Sequence, residues 1–245
     1  LDGPKNKGDK IIQEDILGSV KTVGKFNKFK KNQIVVIKNT KNLGLAKSIA
    51  KGLDKISKRH KSFIVLEDDT VPYSRLVEFF TSCLKKYNKE EKIAAICGYQ
   101  FMNFDKKSKK LKTVFLKHFI PWGWATWSKN WQAYRSNNIK FEKKYILKIP
   151  RFIRKIQKKV LIKKKKKNYW SLNYMQHNYL NNKYFVYPNH PLVKNIGFDG
   201  SGTNCIITNE LYVYEKKISK INLENFSLYK NDLLKHEKQL KKVIK

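Results

Sequence analysis

Acidic residues are scarce: 19 Asp and Glu stand against 54 Lys and Arg in 245 residues, a formal net charge of +35 at pH 7. Arginine is scarce too, confined to Arg59, Arg75, Arg135, Arg151 and Arg154. A positive excess of this size attracts nucleic acid, anionic lipid or phosphate-bearing substrates. Readers of nucleic acid, however, favour the Arg fork. The Lys, Asn, Ile, Tyr and Phe found here are what an AT-rich genome encodes, so the charge reads first as compositional bias, of the kind met in low-GC bacteria. Cysteine is rare as well. Cys83, Cys97 and Cys205 are odd in number, far apart and without CxxC spacing, which excludes a zinc knuckle and a disulfide framework and makes a reducing compartment the default. No apolar run nears the ~18 residues of a membrane-crossing helix, and no signal-peptide pattern stands out. The chain opens at Leu1 inside what reads as a strand end, so upstream residues are expected.

The remaining composition is that of a folded chain. Hydrophobic residues make up 41% and aromatics 13%, enough for one α/β domain to bury a core without staples. The turn at Asp2-Gly3-Pro4 leads into a helix with Ile12, Ile16, Val20 and Val23 on one face. Ile34-Val35-Val36-Ile37 predicts a buried strand. Asn42-Leu43-Gly44-Leu45-Ala46 turns into a second helix through Ile49, Ala50 and Leu53. Phe63-Ile64-Val65-Leu66 predicts another buried strand, and Tyr73 to Tyr87 a helix with Leu76, Phe79, Phe80, Cys83 and Leu84 inward. Ile93-Ala94-Ala95-Ile96, closed by Gly98, is a further strand. This alternation predicts βαβ units and a mainly parallel sheet with helices on both faces. Beyond it come an aromatic cluster from Pro121 to Trp131, a helical pattern from Tyr169 to Leu180, a strand with a Gly-rich loop from Pro188 to Thr203, and a charged tail.

Glu67-Asp68-Asp69 follows an apolar strand directly. Ligands of open α/β sheets bind beyond the carboxyl ends of strands. Three adjacent carboxylates repel one another, and a hard divalent ion that also grips a diphosphate relieves the repulsion. The triplet therefore reads as a metal–diphosphate clamp, or alternatively as a solvated turn ahead of a helix.

Several stretches in order give the chain a family likeness: Asp2-Gly3-Pro4-Lys5, Asn42 to Ala46, Val65 to Asp69, Pro121-Trp122-Gly123-Trp124-Ala125-Thr126-Trp127, and Asn195 to Thr203. Over roughly residues 1–205 it resembles the GT-A fold glycosyltransferases, in particular a bacterial family 2-like group related to N-acetylglucosaminyltransferases. The resemblance implies a nucleotide-diphospho-sugar transferase fold over residues 1–210, with its first strand and helix preceding Leu1, and a charged helical extension at 211–245. It implies a nucleotide-sugar donor and Mn²⁺ or Mg²⁺. Asp69 would be the direct metal ligand and Asp68 would lie near the ribose or metal. Glu67 and Gly44 would belong to the donor site, and Asp2 would contact the nucleobase.

Indoles suit the apolar faces of sugars, so Trp122, Trp124 and Trp127 are candidate sugar platforms; a tryptophan-rich core is the alternative. The loop from Gly197 to Thr203, with Gly200 and Thr203, would close on the diphosphate through backbone N–H groups. Two positions depart from the family. Ser171 stands where a carboxylate general base is expected, which leaves Asp199 as the substitute base or else a turn residue. Asn204 stands where the family has His as a metal or phosphate contact. A catalytically weakened nucleotide- or glycan-binding relative is the second reading, and a basic nucleic-acid-binding protein the third. The five histidines do not cluster in sequence; His118, just before the tryptophan loop, stands nearest the chemistry.

Residues 140–167 carry fourteen basic residues and one acid. Phe152, Ile153, Ile156 and Val160 would share a helix face there, reading as a contact for anionic membrane or as a solvated loop. The expected acceptor is a glycan or lipid-linked saccharide. The expected location is cytoplasmic, peripheral on the inner face of the plasma membrane, with no specific nucleic acid as partner.

Overall fold

The computed structural model describes residues 1–26, 34–100, 110–137, 170–197, 220–221 and 223. The chain divides into two compact units, Leu1–Ile56 and Ser57–Lys245. The expected boundary at 210/211 and the tail beyond Glu215, apart from three residues, lie outside the described residues, as does the basic stretch 140–167.

The first unit is built on helices α1 (Lys7–Phe26) and α2 (Leu45–Ser57). Asn6 starts α1: its Oδ1 accepts the Asp9 N–H at 2.8 Å, and the Asp9 carboxylate accepts the Lys5 N–H at 3.0 Å. Both bonds satisfy donors that a helix start leaves open. Gly44, at φ +75, turns the chain into α2, and its carbonyl accepts the Ser48 N–H. Both helices match expectation, but the apolar face of α1 does not. Gln13 is buried, whereas Ile11 and Ile12 are 62% and 58% exposed. Periodicity predicts a helix without saying which side meets a neighbour. The expected buried strand at Ile34–Ile37 is also corrected. The segment forms no strand, and Ile34, Val35 and Val36 are exposed. Its pairing is a short bridge to Leu1, made at Ile37 and Asn39, too little to cover a β-branched run.

The second unit is mixed α/β. Its elements are β1 (Ser62–Val65), β2 (Thr70–Pro72), α3 (Leu76–Lys86), β3 (Ile93–Cys97), β4 (Lys110–Leu111), β5 (Thr113–Leu116), β6 (Trp124–Trp127), α4 (Ser128–Ser136), α5 (Trp170–Leu180), β7 (Tyr184–Pro188), β8 (Val193–Asn195) and β9 (Lys220–Ile221). Five strands form the main sheet in the order β1-β6-β3-β7-β5, while β2 pairs with β8 and β4 with β9. The expectation of a mainly parallel sheet is overturned: within the five-stranded sheet, among the described residues, only β3 and β7 are parallel neighbours, and the other three adjacent pairs are antiparallel. The cause is β6. It inserts between β1 and β3 and runs against both, so two strands that read as successive βαβ partners point the same way without touching.

The strand at residues 63–66 is real but sits at the sheet edge, so Ile64 and Val65 are half-buried and Leu66 is exposed. β3 is buried throughout, as its apolar run requires. α3 buries Leu76, Phe79, Phe80 and Cys83, the spacing of one helical face. It starts later than expected because Tyr73 donates its N–H to the Leu192 carbonyl and Arg75, at φ +75, is in the left-handed conformation. An aromatic core joins α4 and α5 to β6. Trp124 lies 5.2 Å from Phe119, 5.6 Å from Tyr174, 5.7 Å from Trp170 and 6.3 Å from Trp131, between ring centroids. Buried polar groups tie into it: the Thr126 hydroxyl donates to the Ala94 carbonyl at 2.8 Å, and the Asn130 amide donates to Ile93 and Ala94.

Candidate functional site

β1, β3 and β7 share one direction, so their carboxyl ends emerge at one end of the sheet, where ligands of α/β folds gather. β6 runs the other way and its start lies there too. That end carries the acidic turn after β1, Gly98-Tyr99-Gln100 after β3, Asn189-His190 after β7, and Trp122-Gly123 before β6.

The acidic turn is closed by the Thr70 N–H, which donates to the Glu67 carbonyl at 3.0 Å. β2 then pairs antiparallel with β8, Thr70 opposite Asn195, and the Ile196 N–H donates to the Asp69 carbonyl at 2.8 Å. Asn195 Oδ1 accepts the Gly197 N–H at 2.8 Å, turning the chain back over Asp69. Gly197 packs so closely that a Cβ there would fall on the Asp69 carboxylate. Gly123, at φ +65, fits against Val193, Leu66 and Thr70. Three backbone bonds stitch the rim: Gly98 N–H to Gly123 at 2.7 Å, Leu192 N–H to Gly98 at 2.8 Å, and Tyr73 N–H to Leu192 at 2.8 Å.

Electrostatics single out two of the three acids. Burial, with the charges of Asp69 and Asp68, raises the Glu67 carboxyl from 4.5 to about 7. Burial and the Asp68 charge raise Asp69, and the dipoles of Asn195 and Thr70 oppose this without cancelling it. Asp69 Oδ1, Thr70 Oγ1 and Asn195 Nδ2 are all buried, yet none closes a hydrogen bond of normal geometry with a described residue. Asp68 is exposed.

The carboxylates do not converge as a three-ligand cage. Among the described residues no three His, Cys, Asp or Glu are placed to hold a common metal ion. Successive residues of a turn point different ways, so adjacency in sequence does not make a coordination shell. Among the described residues, Asp69 Oδ1 is a buried carboxylate oxygen that has Asn195 and Thr70 beside it and no hydrogen bond of normal geometry. Such a donor fits Mg²⁺ or Mn²⁺, which bind through one or two carboxylates and fill the remaining sites with water and substrate phosphate.

Two of the tryptophan platforms are corrected. Trp124 is 0% and Trp127 4% exposed; both are core side chains, because β6 lies inside the sheet with neighbours on both faces. Trp122 is half-buried and packs edge-to-face on Tyr99, 4.6 Å between centroids. Asp2 and Gly44 belong to the first unit. Asp2 Oδ1 accepts the N–H groups of Gly3 and Leu43, each at 2.9 Å. Burial works against its charge, but these bonds, with help from Gly44 and Asn39, hold its carboxyl below the usual value. In this arrangement Asp2 organises the turn that launches α2. Ser171 lies half-buried in the first turn of α5. His118, His177 and His190 are buried. Asp199, Gly200, Thr203 and Asn204 lie outside the described residues.

Sequence reasoning missed Tyr73, Tyr99 and Asn195. Tyr99 had a usable signal, since it follows β3 as Glu67 follows β1. Asn195 opens the stretch Asn195 to Thr203 but carried no role of its own, because only the pairing of β2 with β8 brings it to Asp69. Compared with protein-family models and with curated protein sequences, the chain matches none.

Proposed function

We propose that the chain is a metal-dependent glycosyltransferase of the GT-A type, moving a sugar from a nucleotide-sugar donor to a glycan or lipid-linked acceptor with inversion. One observation carries the reading: the buried Asp69 oxygen just past the carboxyl end of a sheet strand, closed over by Gly197 and left without a hydrogen bond of normal geometry among the described residues. Asp69 would hold the ion, with Asn204 as a second ligand. A bound Mg²⁺ or Mn²⁺ supplies charge neutralisation for a departing diphosphate. Asp68, exposed beside Asp69, would accept hydrogen bonds from the ribose of the donor or lie near the metal. Glu67 braces the turn through its backbone carbonyl. Gly200 and Thr203 would offer backbone N–H groups to the phosphates.

Inversion needs a base that takes the acceptor hydroxyl proton while the new C–O bond forms and the bond to diphosphate breaks. Asp199 is assigned that role, because Ser171 has no proton-accepting group of suitable basicity. Ser171 also favours a second reading, in which the site binds a sugar nucleotide without turnover. The proposed setting is the cytoplasmic side of a membrane; no described helix is long and apolar enough to cross one.

Thermal unfolding with a panel of nucleoside diphosphates, with and without Mn²⁺, tests the donor site. Metal-dependent stabilisation is expected in wild type and its loss in Asp69→Ala. No stabilisation by any nucleotide would end the proposal, and an unchanged response in Asp69→Ala would end the metal assignment. Release of free diphosphate from a sugar nucleotide, present or absent, separates turnover from binding alone.

A further inference from the structure

Asn195 is a polar residue at an inward position. β8 alternates, with Val193 and Asn195 buried and Lys194 exposed, and Asn195 is 9% exposed. It stands opposite Thr70 in the β2–β8 pair, so the two side chains share one face. The two ends of its amide are fixed. Gly197 donates its N–H to Asn195 Oδ1 at 2.8 Å, and an amide nitrogen cannot accept that bond. Nδ2 therefore points elsewhere; it is buried and has no hydrogen bond of normal geometry among the described residues. The Asp69 carboxyl lies within reach of this amide, which favours its charged form. The backbone holds the two together, since the Ile196 N–H donates to the Asp69 carbonyl at 2.8 Å. Asp69 Oδ2 is covered separately, by Gly197, where a Cβ would lie 2.4 Å from it.

We propose that Asn195 is a positioning residue for cation binding: its amide holds the Asp69 carboxylate in one orientation, so that an ion is met by one oxygen rather than two. The inference rests on the metal reading of Asp69 and deepens it by naming the class of ion the site selects. With Oδ2 against Gly197, Oδ1 is the oxygen left for an ion. Single-oxygen ligation suits Mg²⁺ and Mn²⁺ in an octahedral shell of water and phosphate, whereas Ca²⁺ gathers about six to eight oxygens and readily takes both of a carboxylate. A neutral amide fits the task, because it directs the carboxylate without cancelling its charge as Lys or Arg would. Partners that orient a ligating carboxylate in this way set both affinity and geometry.

The competing account is a plain Asx turn, in which only the bond from Gly197 to Oδ1 matters. Two substitutions separate them. Asn195→Asp keeps an acceptor for the Gly197 N–H and removes the Nδ2 donor; Asn195→Ala removes both. Binding of Mn²⁺ to the full chain, alone and with UDP, is read from loss of the free-ion EPR signal, with Mg²⁺ and Ca²⁺ as competitors. In wild type Mg²⁺ should displace Mn²⁺ at lower concentration than Ca²⁺ does. Asn195→Ala should weaken Mn²⁺ binding roughly tenfold or more and reduce the preference for Mg²⁺. Asn195→Asp should reduce that preference too, since a second carboxylate beside Asp69 offers the extra oxygens that Ca²⁺ takes.

A wild-type preference for Ca²⁺ overturns the proposal, as does a Mg²⁺ preference that survives in both variants. Equal weakening of all three ions in Asn195→Ala, with wild-type behaviour in Asn195→Asp, assigns Asn195 to the turn alone and overturns it as well. In each of these outcomes Mn²⁺ still binds the wild type, so the metal reading of Asp69 stands. No Mn²⁺ binding to the wild type, with or without UDP, removes that reading and the proposal with it. If Asn195→Ala does not fold, Asn195→Asp and Asn195→Ser carry the test with the same readouts: a reduced Mg²⁺ preference in both sustains the positioning role, and an unchanged one in either overturns it.

Discussion

Gly197 has no side chain where Asp69 has one, and the two fill the same space. Gly197→Ala should push the carboxylate aside rather than unfold the chain, because the obstacle is the end of a side chain. A loss of about 1 kcal/mol is expected, together with loss of the Mn²⁺-dependent nucleotide stabilisation. Thermal unfolding of the variant with and without ligand reads both, and an intact nucleotide response would detach Gly197 from the site. Glu67 gives a pH signature. Its carboxyl holds a proton up to about pH 7 in the folded, metal-free protein, against 4.5 when unfolded. The folded state binds the extra proton between those values, so stability falls as pH rises from 4.5 through about 7 and the full penalty remains above. That penalty is at most about 3.5 kcal/mol. Glu67→Gln should therefore raise the urea midpoint at about pH 8 and change it little at about pH 4. Equal midpoints at the higher pH would show that the carboxyl is not held against its charge.

The elements divide the tryptophans by role. Trp124 sits at the centre of the aromatic core, and Trp124→Ala should cost about 3–5 kcal/mol in urea unfolding, whereas Trp122→Ala at the rim should cost well under half as much. Similar losses would contradict the placement of β6. The sequence made some elements easy to read. β3 is a pure apolar run, and α3 repeats its large residues at three and four positions, each a local signal of burial. β6 gave no such signal: Trp-Ala-Thr-Trp shows neither alternation nor a β-branched run, because a strand buried on both faces has no polar side to alternate with. Its insertion between β1 and β3 is a long-range event that no window of residues reports. The site follows the same division. The acidic turn was legible because a strand end is a local feature, while Asn195, Tyr99 and the role of Gly123 depend on which strands pair. Trp122, Trp124 and Trp127 look alike in sequence, and only the sheet separates the rim residue from the core ones.

At the scale of the whole molecule, +35 charges repel one another, and among the described residues one ion pair, Arg75 with Glu78, forms on the surface. Salt should therefore stabilise the protein. Raising ionic strength from about 0.01 M to about 0.15 M shortens the screening length from about 30 Å to about 8 Å, and the melting temperature should rise by a few degrees, 2–4 °C corresponding to about 1 kcal/mol at this size. A flat or falling profile would mean that the lysines are too dispersed to oppose folding. Binding to DNA, if measured, should weaken steeply with salt and be equal for unrelated sequences, since lysines without a reading element sense only phosphate. The stitched rim bears on how the molecule meets a ligand. Tyr73, Leu192 and Gly98 each spend a backbone N–H on a neighbouring loop, so these segments behave as a frame rather than as flaps. Their amide protons should exchange with solvent as slowly as those of β3, and accommodation at this rim falls to side-chain rotation, which favours molecules whose outline already matches.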